Sequence, residues 1–117
     1  MSYIEGFVTP VPTANRDAYR NHAEEASEHF KRLGAIRLVE CWGDDIPDGQ
    51  VTDFRKAVQA KDDETVVFSW IEYPDRETRD RVNAAMESDE GMQSMSGEMP
   101  FDGRRMFWGG FEQIVNR

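Results

Sequence analysis

The run Thr65 to Tyr73, TVVFSWIEY, constrains the fold of this chain more than any other stretch. It is dense in β-branched and aromatic side chains, and strand alternation sets Phe68 and Trp70 on one side against Val67, Ile71 and Tyr73 on the other. The stretch Met99 to Phe111, MPFDGRRMFWGGF, repeats the pattern. Pro100 and Asp102-Gly103 mark a turn, after which Met106 and Trp108 oppose Phe107 and Phe111. A strand that is apolar on both faces has to be covered twice.

The remaining segments supply one cover and leave the other open. Tyr3 to Val11 reads as a first strand ended by Pro10 and Pro12. Thr13 or Asn15 is then placed to cap a helix over Asp17 to Leu33, whose apolar stripe is Tyr19, Ala23, Ala26, Phe30 and Leu33, with Gly34 as its stop. Ala35 to Trp42 forms a second strand, with Ile36, Leu38, Glu40 and Trp42 on one face and Arg37, Val39 and Cys41 on the other. Turn formers fill Asp44 to Gln50, and Thr52-Asp53 can cap a short helix over 52–58, with a strand as the rival reading. Pro74-Asp75 opens another helix with the stripe Thr78, Val82, Ala85 and Met86, and Gly91 to Gly97 is a connection containing Met and Ser. The order β-α-β-(short helix)-β-α-β predicts an α+β class, a ferredoxin-like βαββαβ sandwich with one four-stranded antiparallel sheet, over a single domain spanning 1–117. Two helices shelter one face of such a sheet. Leaving the other in water costs about 25 cal/mol per Å² of apolar surface, so the pattern predicts a second copy packed sheet to sheet as a homodimer.

Charge narrows the partners. The 117 residues carry 23 acidic against 14 basic side chains, a formal charge of -9, which repels polyanions and argues against nucleic acid and anionic membranes as partners. Arg76, Arg79 and Arg81, and the Arg104-Arg105 pair, are interleaved with Asp or Glu and read as solvated faces rather than a binding stripe. One cysteine, and an N-terminal stretch MSYIEGFV with neither a basic leader nor a long apolar run, lead to the expectation of a cytoplasmic chain.

The segments IEGFV at Ile4 to Val8, LVECW at Leu38 to Trp42, IPDGQVTDFRKAV at Ile46 to Val58, VVFSWIEYP at Val66 to Pro74 and MPFDGRRMFWGGF together resemble the YbaA-like domain-of-unknown-function family of small bacterial proteins. The resemblance runs almost end to end. It implies a ferredoxin-like protomer in a dimeric α+β barrel, a superfamily that includes small monooxygenases, muconolactone isomerases and haem-handling proteins. It carries over no catalytic residues, and shared fold alone says little about chemistry. A signal recognition particle RNA label sometimes attached to the family would require a basic stripe beside exposed aromatics, and this acidic chain has no such stripe.

Several residues carry the right chemistry for a site. Glu40 lies between Leu38 and Trp42 on one strand face, and Glu72 follows Phe68 and Trp70 on another. In an apolar setting either becomes a general acid or base; otherwise each is a strand carboxylate paired with Arg37, Arg55 or Arg105. His22 and His29, with Glu25 nearby, flank the first helix's stripe, and His22 suits a second proton carrier. As a metal pair they stand two turns apart, about 10 Å along the axis, too far to share one ion unaided. Neither a metal nor a cofactor is expected. Cys41 reads as a buried, inert thiol; Arg105, beside Arg104, as a holder of an anion or the partner of an acidic loop in a second protomer; and Met92, Met95 and Met99 as an adaptable loop or flap. Trp42, Trp70 and Trp108 fall on separate strands and are expected to meet as core or as walls for a flat ligand. Taken with what the resemblance implies, a dimeric barrel of a superfamily that includes monooxygenases and isomerases, these features lead to the expectation of a homodimer that binds a small apolar or aromatic molecule, as a cofactor-independent enzyme of one of those types, with Glu40 or Glu72 as acid or base. The alternative is a non-catalytic interaction module whose aromatic face serves dimerisation alone.

Overall fold

A computed structural model describes residues 2–88 and 99–117. The chain runs through β1 (Tyr3–Pro12), a 3-10 turn (Thr13–Asn15), α1 (Arg16–Leu33), β2 (Arg37–Trp42), α2 (Phe54–Ala57), β3 (Glu64–Tyr73), α3 (Arg76–Ser88) and β4 (Phe107–Glu112). The four strands form one antiparallel sheet in the order β2-β3-β1-β4. Because β1 and β2 both run antiparallel to β3, they are parallel to each other, and α1 carries the chain across. The same relation joins β3 to β4 through α3, so two split βαβ units interleave as the ferredoxin-like arrangement predicted from element order.

Local chemistry explains most of the boundaries. Gly34 ends α1 at φ 139°, a backbone angle that side chains disfavour, and its N–H donates to Phe30 O at 3.1 Å. Asp53 settles 52–58 as helix rather than strand: its carboxylate accepts from Lys56 N at 2.7 Å and Gly49 N at 3.0 Å, which closes the turn loop and starts α2. Asp75 accepts from Thr78 N at 2.7 Å and starts α3. The start of α1 differs from expectation, since neither candidate cap satisfies the helix. Thr13 spends its hydroxyl on Thr65 at 2.7 Å, and Asn15 Nδ2 donates to Pro100 O at 3.1 Å, so the 3-10 turn tightens the helix entry instead.

The sheet has two unlike faces. On one, Tyr3, Phe7, Val11, Leu38, Val67, Ile71 and Tyr73 pack under α1 and α3 against Tyr19, Ala23, Phe30, Leu33 and Val82. Each Val, Leu, Ile or Phe among them stabilises the fold by about 1.5–3 kcal/mol when fully buried. On the other, the α2 segment covers one end, with Val58 and Ala60 against Val8 and Val66 and with Phe54 edge-on to Phe68. Much of that face still meets solvent: Phe68 is 45 % exposed, Phe107 46 % and Phe111 56 %. The two-sided apolar pattern of β3 and β4 is therefore present, with one side roofed by α1 and α3 and the other covered by the α2 segment at one end alone.

Two sequence-based expectations fail here. Cys41, read as buried, is exposed, because it lies on the open face of the edge strand β2. Arg79, read as part of a solvated helix face, is buried with Glu5 between α3 and β1. The connection over Gly91 to Gly97, with Met92 and Met95, lies outside the described residues; Met99 is exposed.

Candidate functional site

Glu40 stands on the face of β2 that looks toward α1, opposite Ser69 of β3. Tyr19 belongs to the apolar stripe of α1, so its ring is buried and its hydroxyl must find a partner inside the layer. It donates to Glu40 Oε1 at 2.7 Å, and Ser69 Oγ donates to the same oxygen at 2.5 Å. Glu40 keeps exposed surface as a residue, yet its carboxyl is crowded by the helix–sheet layer. Desolvation raises its pKa above the ordinary carboxylate value, with the two donors pulling the other way. Burial, then the nearby Glu40 charge, raises the Tyr19 hydroxyl and keeps it a donor.

Two hollows meet at this group. The outer one, about 330 Å³, opens between α1 and β2 and is lined by Arg16, Arg20, Glu24, Ser27, Trp42 and Val67 beside Tyr19, Ala23, Leu38 and Glu40. The inner one, about 210 Å³, is bounded mainly by Phe7, Ala26, Phe30, Ile71, Phe101 and Met106 and shares those same four residues. Glu40 and Tyr19 thus stand at the boundary between a more polar hollow and a more apolar one. His22 reaches the inner hollow, half-buried and edge-on to Phe101 at 5.8 Å; desolvation lowers its pKa, against the opposing pull of Glu25, and favours the neutral imidazole.

The structure brings together only part of the set expected from sequence. Glu40, His22 and Trp42 line the hollows. Glu72 lies on the opposite sheet face, where Arg37 Nε sits 2.9 Å from one oxygen and Ser2 Oγ donates to the other at 2.6 Å. Arg105 is occupied within its own chain: Nη1 and Nη2 each donate to Glu64 at 2.7 Å, and Nε donates to Asp102 at 2.9 Å. Those bonds, Arg105 first, hold the Glu64 carboxyl below its usual range and clasp the turn before β4 onto the start of β3. The three tryptophans do not meet. Trp42 faces α1, Trp70 lies on the open face, and Trp108, paired with Phe7 on the far edge strand, is 56 % exposed. His29 hydrogen-bonds with Arg32 at 3.0 Å, and no group of three or more His, Cys, Asp or Glu among the described residues is arranged to hold a metal ion.

Sequence reasoning passed over Tyr19 and Ser69 as polar groups. The signal for Tyr19 was present, since a tyrosine inside an apolar helical stripe has a hydroxyl to satisfy. It also passed over a second buried cluster, in which Arg79 Nη1 lies 3.6 Å from Glu5 Oε1 and Asn83 Nδ2 donates to Glu5 at 3.2 Å. The Arg79 guanidinium stacks 5.0 Å from the Tyr3 ring centre.

The sheet order and the helix–sheet hollows define a ferredoxin-like α+β protein in which the Glu40 carboxyl faces the space under α1. The chain belongs to the family described as protein of unknown function (DUF1428), whose model matches residues 2–103. It is 55 % identical over 116 residues, 99 % of each chain, to the uncharacterized protein YbaA of Escherichia coli K12, and equally to that of Shigella flexneri. Among solved structures, a dimeric ferredoxin-like protein from an uncultured marine organism aligns over 95 % of this chain and 92 % of its own, with a TM-score of 0.52 and 12 % identity, a likeness of fold. No helix among the described residues is long and apolar enough to cross a membrane.

Proposed function

We propose that this chain forms a homodimer through its open sheet face, and that each protomer binds a small apolar or aromatic molecule between α1 and the sheet. There Glu40 acts as an acid–base group of the kind a cofactor-independent isomerase needs. It takes a proton from one carbon of the bound molecule and returns it to another, shifting a double bond with no net oxidation. The same proton removal is the opening step for a cofactor-independent monooxygenase. His22 is the second proton carrier, at the inner hollow, and Trp42 is a wall of the outer one.

One observation carries this reading: the Glu40 carboxyl sits where two hollows join, its pKa raised by desolvation and one oxygen fixed by Tyr19 and Ser69. The dimer is supported by the exposed Phe68, Phe107 and Phe111 on the sheet face that α1 and α3 do not cover, and by the dimeric state given for the marine relative in fold. Backbone amide NMR with a panel of small aromatic alcohols, ketones and acids tests the site. Shifts gathered at Tyr19, Leu38 and Ser69 support it. Compounds that leave those amides still, while the protein remains a dimer, favour the second reading, an interaction module whose aromatic face serves dimerisation alone.

A further inference from the structure

We infer that the molecule held between α1 and the sheet is a monoanionic aromatic carboxylate, with its carboxylate at Arg16 and Arg20 and its apolar body pointing inward past Glu40. This inference rests on the binding site proposed above and names what that site selects. Arg16 and Arg20 are one turn apart on α1, and both line the outer hollow. The Arg16 guanidinium carbon lies 5.5 Å from the centre of the Trp42 ring, which holds the cation at the mouth without using its N–H donors. Among the described residues Arg16 has no carboxylate partner. Arg20 has a weak one, Asp17 at 4.0 Å with both side chains largely in solvent.

At the other end, the inner hollow presents Phe30, Phe101 and Met106 beside Thr9, His22 and Ser69, with no arginine or lysine in its lining, so it suits an apolar group better than an anion. A ligand that satisfies both ends is amphipathic, with a charged head and a ring. The charge is limited to one by the surroundings. Glu24 lines the same mouth beyond Arg20, Glu40 stands at the wall, and the whole chain carries -9, so a phosphate dianion meets about twice the repulsion that a carboxylate does.

The test is a titration of the full chain, followed by amide NMR, with benzoate, 2-naphthoate and biphenyl-4-carboxylate, each against its own carboxamide. The expected result is that the best acid binds at least about tenfold more tightly than its amide, with shifts at Arg16, Ala23 and Leu38. The Arg16→Gln/Arg20→Gln variant, altered only at exposed positions, removes that preference, so that acid and amide bind within about twofold of each other. Acid and amide binding equally at those positions overturns the carboxylate assignment while the site itself stands. An acid preference that survives in the double variant also overturns it. If neither series moves these amides, the site and its ligand class fall together. Phenyl phosphate serves as the last arm, and tighter binding of it than of benzoate would overturn the monoanion.

Discussion

The Tyr19 hydroxyl and the Glu40 carboxylate are joined across the gap between α1 and β2 by a hydrogen bond of 2.7 Å. This bond fixes the one titratable group that faces the hollow from the sheet's interior side, and it ties helix to strand where apolar packing gives way to open space. A carboxyl in that position is held by two donors and penalised by burial, and the balance between them lifts its pKa.

The sign of that shift sets a pH dependence. A carboxyl raised in the folded state contributes stability that is full below the ordinary carboxylate value, about 4.5, and is lost as pH rises through the raised value. Urea midpoints of the wild type and Glu40→Gln, followed from pH 4 to 8, should therefore diverge, with the wild type losing ground to the variant as pH rises. Parallel curves would show that Glu40 titrates in the fold as it does in the unfolded chain.

The buried Glu5–Arg79 pair should be unforgiving. The side chains are 3 % and 10 % exposed, so Arg79→Met leaves a carboxylate sealed without its cation and should cost about 3 kcal/mol by denaturant unfolding. Glu5→Gln added to Arg79→Met should recover part of that loss. A single Arg79→Met variant as stable as wild type would mean that the pair is not sealed in solution.

Neighbouring glycines should behave oppositely. A Cβ on Gly110 would press into the Tyr3 hydroxyl and come within 2.9 Å of Arg79 Nη1, whereas one on Gly109 meets nothing closer than 3.8 Å, from Phe111. Gly110→Ala should lose roughly 1–3 kcal/mol and Gly109→Ala stay within about 0.5 kcal/mol, as read by thermal unfolding.

The open face predicts the assembly. Phe68 stands on β3, inside the sheet, and is 45 % exposed. Phe68→Glu should convert a wild-type dimer to a monomer in light scattering while the amide signals around Tyr19 and Leu38 persist. A wild-type chain that scatters as a monomer at micromolar concentration would remove the basis for the dimer.

Much of the architecture was legible because it is local. Alternation in Glu64–Tyr73, the stripe along α1, the Gly34 stop and the Asp53 cap each depend on residues within a few positions of one another. Half of the site was legible on the same grounds: Glu40 is anomalous between Leu38 and Trp42 whatever the rest of the chain does. Arg79 and Cys41 were misread for the complementary reason. Nothing near Arg79 in sequence announces Glu5, and nothing near Cys41 says that its strand is an edge.

The amino-acid order by itself determined the elements, their faces and the apolar surplus that one pair of helices cannot cover, since strand and helix periods are properties of short runs. Only the tertiary structure decided that Glu40 lies under α1 while Glu72 pairs with Arg37 on the other side, and that Tyr19 and Ser69 converge on one oxygen. With both faces apolar, no local pattern marks the one that receives the helices. The crossovers that carry the chain from β1 to β2 and from β3 to β4 choose it, and their hand is a property of the whole path.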